Sequence, residues 1–214
     1  MQSLIDDDLS LQEALHKGYG NYSAIARMLK PKVKDVLGRE IKLESVITAV
    51  KRAKVSYKTP KGNVAKVIAK SVINIRTDVA KISVEKTSRN LEKIRKTLAN
   101  FSGEFFHIIE GTSAITLIFD QKLFEDICSL FPEKEVLDKR QSLAAIILRS
   151  PVEIIKTPGC VLAFYSTVSR KHINIEETMS CFTDTIIVVS MKDVSKAFAA
   201  LTELIAETRE FAVT

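Results

Sequence analysis

Apolar residues recur along this chain with two periods, and the period changes near residue 70. Before that point the spacing is helical. Leu11, Ala14 and Leu15 share one face, Ser10 and Glu13 stand at capping-box spacing, and Lys17-Gly18 marks a stop. Tyr22, Ile25, Ala26 and Leu29 fall at i, i+3, i+4 and i+7 behind Asn21, a residue suited to an N-cap. Pro31 is expected to end or restart this helix, with Val33–Leu37 as one further turn closed by Gly38. The third helix is the clearest. Leu43, Val46, Ile47, Val50 and Ala53 lie on one face, and Ser45, Thr48, Lys51 and Arg52 on the other.

Beyond residue 70 the pattern alternates between strand and helix. Ser71–Val84 is rich in β-branched residues and reads as a strand. A helix follows with Leu91, Ile94, Leu98 and Phe101 inward. Phe105–Ile109 and Ile115–Phe119 flank Glu110-Gly111-Thr112-Ser113 and read as a hairpin, and a helix over Lys122–Phe131 ends at Pro132. The last third repeats this order. Leu143–Ile155 reads as a strand, then a helix follows Thr157-Pro158-Gly159 with Val161, Phe164, Tyr165 and Val168 inward. Ile173–Ile175 and Thr185–Val189 read as strands, Val194–Ala206 as a helix, and Glu210–Val213 as a closing strand. The offset between the two runs is about 70 residues. The predicted fold class is α+β. A three-helix module over 1–66 precedes two ferredoxin-like βαββαβ units over 67–140 and 141–214.

Charge divides the chain further. Residues 1–70 hold 14 Lys and Arg against 7 Asp and Glu, residues 71–140 hold 11 of each, and residues 141–214 hold 7 against 8. The whole basic excess therefore lies in the helical third. Three short helices with a polar, basic outer face on the third fit a helix-turn-helix fold, which leaves one helix free for a major groove. Ser45, Thr48, Lys51 and Arg52 would face double-stranded DNA, and Lys54, Lys58 and Lys61 would follow the phosphate backbone. The stretch Tyr57–Asn63 suits a basic turn or wing. A helical module that docks on a protein is the alternative.

The second repeat resembles an ACT domain, the amino-acid-sensing module of many biosynthetic enzymes and regulators. Thr157-Pro158-Gly159 before the helix, His172-Ile173-Asn174-Ile175, Ser180 and Thr183-Asp184 carry the resemblance. The tandem arrangement looks most like the paired ACT domains behind aspartokinase catalytic domains, with Val136–Ile147 as the strand that leads from one unit into the next. The first repeat departs from the pattern. Lys86-Thr87-Ser88-Arg89 stands in place of T-P-G and Phe106-His107 in place of I-N, as in a unit that keeps the fold without the ligand loop. The resemblance implies a small amino-acid effector and a homodimer or larger assembly.

Physical chemistry points to the same place. A ligand carboxylate suits the helix-start N–H groups of Gly159, Cys160 and Val161, with Pro158 fixing φ and Gly159 permitting close approach. Asn174 offers both a donor and an acceptor, and Ile175 follows it on the strand.

Other chemistry finds no motif. There is no G-x-x-x-x-G-K-[ST], G-x-G-x-x-G, G-x-S-x-G or H-E-x-x-H, so no enzyme, cofactor or metal is expected. Cys160 at a helix start reads as a packing residue, since no His lies at a recognisable local spacing. Cys128, Cys160 and Cys181 are too scattered for a disulfide framework, and MQSLIDDDLSLQ has no apolar core of a signal peptide, so a cytoplasmic protein is expected. No uncharged apolar run approaches the ~18–20 residues of a membrane span. Two readings remain open: an amino-acid-responsive DNA-binding regulator, or a regulatory subunit that docks on a metabolic enzyme.

Overall fold

The computed structural model describes residues 1–53, 61–98 and 103–213. The chain forms two compact units, Met1–Thr59 and Pro60–Thr214. No helix among the described residues is long and apolar enough to cross a membrane.

The first unit contains four described helices where the spacing predicts three: α1 (Gln2–Asp6), α2 (Leu9–His16), α3 (Tyr22–Leu37) and α4 (Leu43–Arg52). The added helix, α1, carries Ile5, which is fully buried. The cap of α2 is Asp8 rather than Ser10. Its Oδ1 accepts the N–H groups of Ser10 and Leu11 at 3.0 and 3.1 Å, and a carboxylate there also meets the positive end of the helix. Asn21 caps α3 as its type suggests, accepting from Ser23 and Ala24. The helix does not stop at Pro31 but runs to Leu37, with Gly38 at φ 65° as its C-cap. An interior proline costs about 3 kcal/mol. Leu29 before it and Val33 after it both pack into the core of Ile5, Leu11, Ile25, Val46 and Val50, and about 1.5–3 kcal/mol for a fully buried aliphatic side chain offsets that cost.

The second unit begins with helix α5 (Lys61–Ala69), where a basic turn or wing was expected; Lys61 opens this helix. Lys54 and Lys58 lie outside the described residues. Then follow β1 (Val72–Glu85), α6 (Ser88–Leu98), β2 (Phe106–Glu110), β3 (Ala114–Asp120), α7 (Phe124–Ser129), β4 (Val136–Arg149), α8 (Cys160–Arg170), β5 (Ile175–Cys181), β6 (Asp184–Ser190) and α9 (Val194–Val213). The six strands make one antiparallel sheet in the order β2-β3-β1-β4-β6-β5.

Strands β1 and β4 are shared between the two halves of this sheet. The start of β1, Val72–Arg76, pairs with Ala145–Arg149 of β4 beside β6, whereas Val79–Glu85 pairs with β3. Each of the two strands is 14 residues long, and each turns to positive φ at its seventh residue, Asp78 (54°) and Ser142 (55°). The pairing register shifts at Asp78, and such irregularities bend and twist a strand. The start of β1 thus occupies the place of a closing strand for the second half, and the expected strand at Glu210–Val213 is instead the last turn of α9.

Helices cover one face of the sheet. Phe164 and Val168 of α8 and Val194, Leu201 and Ile205 of α9 pack on Ile146, Leu148, Ile187 and Val189. Ile94 of α6 and Phe124 and Ile127 of α7 pack on Ile82, Leu117 and Phe119. The other face curls on itself. β1 and β5 are three strand spacings apart, about 14 Å in a flat sheet. Yet Lys81 Nζ of β1 donates to the Glu176 carbonyl of β5 at 3.1 Å, and Val79, Ile118, Leu143 and Val188 are buried together on this face in a cluster to which the described helices of this unit contribute no residue.

Candidate functional site

The segment between β4 and α8 forms a short 3-10 turn, Val152–Lys156, then Thr157-Pro158-Gly159. Thr157 closes the turn: its N–H donates to the Ile154 carbonyl at 3.2 Å and its hydroxyl to the Glu153 carbonyl at 2.7 Å. Gly159 is the N-cap of α8 at φ 100°, a conformation that a side chain would strain. A glycine cap brings no side-chain acceptor, so the first-turn N–H groups of Cys160, Val161 and Leu162, which have no carbonyl one turn back, are not capped by it. The loop is open, with Pro158 and Gly159 exposed.

The equivalent helix of the first repeat is finished differently. Thr87 Oγ1 accepts the Asn90 N–H at 3.1 Å at the start of α6, and the Lys86 ammonium is taken by the Gly111 carbonyl and Glu110. The first repeat caps its helix with its own side chain, and the second leaves that end to backbone donors alone. A second polar group belongs to this end. Thr185 on β6 pairs with Leu148 and Ser180 on the helix-covered face, is 1% exposed, and its hydroxyl has no partner among the described residues. The equivalent position in the first repeat is Ile115.

Cys160 is buried, and desolvation pushes its thiol above the usual cysteine range, as suits a packing residue. Ile175 packs at the edge of the helix-covered core, and Val161 is half-buried.

Within one chain Asn174 lies away from the T-P-G loop of its own repeat, and the expected site is one that joins the two at a subunit or repeat interface. Asn174 lies just before β5, not on it, and is exposed. Ile175 is level with Val189 and, through it, with Ala144, near the middle of β4. Cys181 is level with Asp184 and Arg149, where β4 ends and the T-P-G segment begins. Six residues of strand separate the two levels, about 20 Å. Asn174 is therefore at the far end of its own repeat. Its amide Nδ2 donates to Glu176 Oε1 at 2.9 Å. Sequence spacing missed Glu176 and Lys81 because neither belongs to a motif. Lys81 interrupts the buried run Val79–Val84 with a charge, and only that interruption signals it in the sequence.

The basic surface expected on α4 is mixed. Glu44, Ser45, Thr48, Lys51 and Arg52 are exposed, so an acid shares the outward face. The Thr48 hydroxyl donates to the Glu44 carbonyl at 2.9 Å. A shallow groove between α1 and α4 is lined by Gln2, Glu44, Ser45, Thr48, Ala49, Arg52 and Ala53. This arrangement lends no support to DNA binding. Among the described residues no cluster of three or more His, Cys, Asp or Glu could hold a metal.

No sequence-family model and no curated protein matches the chain. Solved structures do. The regulatory subunit of aspartate kinase from Thermus thermophilus, in its ligand-free form, matches with a TM-score of 0.52 at 16% identity, over 62% of this chain and 95% of that one. Aspartate kinase from Synechocystis matches with a TM-score of 0.54 at 17% identity, over 64% of this chain and 27% of that one. Aspartate kinase from Clostridium acetobutylicum matches with a TM-score of 0.52 at 19% identity, over 63% of this chain and 34% of that one. The chain shares its fold with these structures, over a little under two thirds of its length. The chain spans about a third or less of the length of those whole kinases, and it matches the regulatory subunit almost end to end.

Proposed function

We propose that this protein is a regulatory subunit that senses a small amino acid through its ACT-type unit and docks on a metabolic enzyme through its helical unit. The observation that carries this is the start of α8. Its backbone donors sit behind an exposed glycine in left-handed conformation, at the same end of the sheet as the buried Thr185 hydroxyl, which has no partner among the described residues, in a fold otherwise found as a free-standing regulatory subunit. A helix N-terminus holding unsatisfied N–H groups takes a carboxylate readily.

The position of β5 supports a homodimer. β5 is an edge strand. Pairing it antiparallel with the β5 of a second copy sets the Ile175 end of one chain against the Cys181 end of the other. Asn174 then approaches the Thr157–Val161 segment of the second copy, and the two-fold axis makes two such sites. Such a homodimer completes the site that one chain divides between the two ends of its sheet. The mixed face of α4, with Glu44 and Arg52 on one groove, suits a protein surface better than a phosphate backbone.

A thermal-shift screen over the protein amino acids tests this reading, because a ligand that binds only the folded state raises its stability by mass action. We expect one amino acid to stabilise the wild type. Gly159→Val, which both blocks the loop and strains φ, and Asn174→Ala, which removes the polar anchor, should each abolish that shift. A shift that survives both substitutions would place the ligand elsewhere.

A further inference from the structure

Within the effector site just proposed, and resting on that reading, we infer that Glu176 and Lys81 are positioning residues that decide which atom of Asn174 meets the effector, and so make the site select a ligand bearing an ammonium. Glu176 Oε1 accepts the Asn174 Nδ2–H at 2.9 Å. That contact fixes the orientation of the amide. One of the two Nδ2 N–H groups is held by Glu176, which sets Oδ1 on the other side of the amide as the acceptor for a ligand's ammonium.

Glu176 is itself held in place. The pairing of β5 with β6 shifts between Ile175 and Glu177, which takes Glu176 out of the regular ladder. The Lys81 ammonium donates to the Glu176 carbonyl at 3.1 Å and lies 3.9 Å from Glu176 Oε2 and 3.3 Å from Asp138 Oδ2. The Lys81 side chain is only 10% exposed, so this cation is enclosed by its three oxygen partners. Lys81 thereby anchors the start of β5 to the middle of the curled sheet, and Glu176 passes that fixed geometry to Asn174.

The chemistry follows from charge. An oriented carbonyl oxygen beside a carboxylate favours a cationic donor and disfavours an anion. The other half of the site, the start of α8 in the second copy, favours a carboxylate. The site is thus polarised along its length and takes a zwitterion. An acid of the same side chain with a hydroxyl in place of the ammonium keeps the carboxylate contact and loses the charge-assisted one.

The test compares each protein amino acid with its 2-hydroxy acid counterpart by thermal shift and calorimetry. Wild type should prefer the amino form by about tenfold or more, the worth of a charge-assisted hydrogen bond. In Glu176→Gln, whose own amide can pair with either end of Asn174, that preference should fall towards unity while affinity for the hydroxy acid changes little. Lys81→Met should lower the preference in the same way, and Lys81→Arg should restore part of it, a selectivity pattern that a merely structural role would not produce. Should Lys81→Met fail to fold, Glu176→Gln still decides the matter, because Glu176 is partly exposed and its carbonyl contact to Lys81 is kept. If wild type prefers the amino form and Glu176→Gln prefers it equally, the inference is overturned and the effector site stands. If wild type binds neither series, the effector site falls and the inference with it.

Discussion

Removing the Arg76 guanidinium should destabilise the sheet far more than an ordinary surface ion pair would. Arg76 Nε and Nη2 reach Asp120 Oδ1 at 2.9 and 2.7 Å, and Nη2 reaches Oδ2 at 2.8 Å. The Asp120 side chain is 6% exposed, whereas that of Arg76 is 50% exposed. Breaking a fully buried pair by deleting one partner costs about 3–5 kcal/mol. An exposed pair costs about 0–1 kcal/mol. Here the remaining charge is the buried one, and it keeps only a long contact from the Phe105 N–H at 3.3 Å. Water reaches it through the space that the arginine vacates, which lowers the cost towards that of hydrogen bonds to a charged group, about 1.5–3 kcal/mol. We therefore expect Arg76→Ala to cost about 2–3 kcal/mol, or about 4–12 °C in melting temperature for a unit of this size. Arg76→Lys should recover little, because an ammonium cannot reproduce the two-pronged contact. Asp120→Asn should fall between, since it keeps an acceptor. Urea unfolding followed by circular dichroism gives the cost, and hydrogen exchange should localise it to Val79–Glu85 and Phe106–Glu110, the strands on either side of Asp120. A loss under about 0.5 kcal/mol for Arg76→Ala, the level of an ordinary surface change, would refute the assignment of Asp120 as a buried charge.

Two other outcomes are expected. His107 is half-buried on β2, and desolvation lowers its pKa below the ordinary 6.5. Its contribution is complete above the unfolded-state value and is lost as pH falls through the lower folded-state value, so His107→Gln should flatten the acid side of the stability–pH curve measured by urea unfolding. At the bends of the long strands, Asp78→Val and Ser142→Val should each cost about 1–2 kcal/mol by chemical denaturation, whereas Gly at either position should be close to neutral.

The elements that were legible in the sequence are those whose apolar spacing coincides with their burial. Val46 and Val50 of α4, and Phe164 and Val168 of α8, lie on the predicted stripes and are buried. The offset of about 70 residues was legible because β3 and β6, and α7 and α9, stand at it, although the strands join one six-stranded sheet rather than two closed units. What escaped was set by contacts distant in sequence. Nothing near Glu210 shows that the place of its strand is already filled by Val72–Arg76, so local propensity could not decide between a strand and the end of α9. The run through Pro31 depended on Leu29 and Val33 sharing a core with α1 and α4. The turn before α8 was legible from Pro158 and Gly159, residues with fixed backbone consequences. The position of Asn174 was not, because spacing along the chain does not report at which end of a sheet a residue emerges. Strand register settles that, and it puts Asn174 at the end of the sheet opposite the T-P-G loop of its own repeat.

Sharing of β1 and β4 makes the second repeat dependent on residues at the start of the first. Ala144, Ile146 and Leu148 of β4 pack against α8 and α9, but the other side of this strand pairs with Val72–Arg76. Ile68 of α5 belongs to the same core, Ser71 Oγ bonds Ser150 Oγ at 2.9 Å with both residues buried, and Arg209 Nε donates to the Ala69 carbonyl at 2.7 Å. A fragment of residues 141–214 would lack all of these. It would also expose the β4 edge between two hydrophobic faces, and a three-stranded remnant with an open central edge is prone to pair with copies of itself. We expect this fragment to aggregate or remain unfolded, whereas residues 60–214 should fold as a unit. Circular dichroism and amide dispersion in proton–nitrogen spectra distinguish the two. A well-dispersed spectrum from 141–214 alone would show that the repeat closes its own sheet, and the shared-strand account of the fold would have to be abandoned.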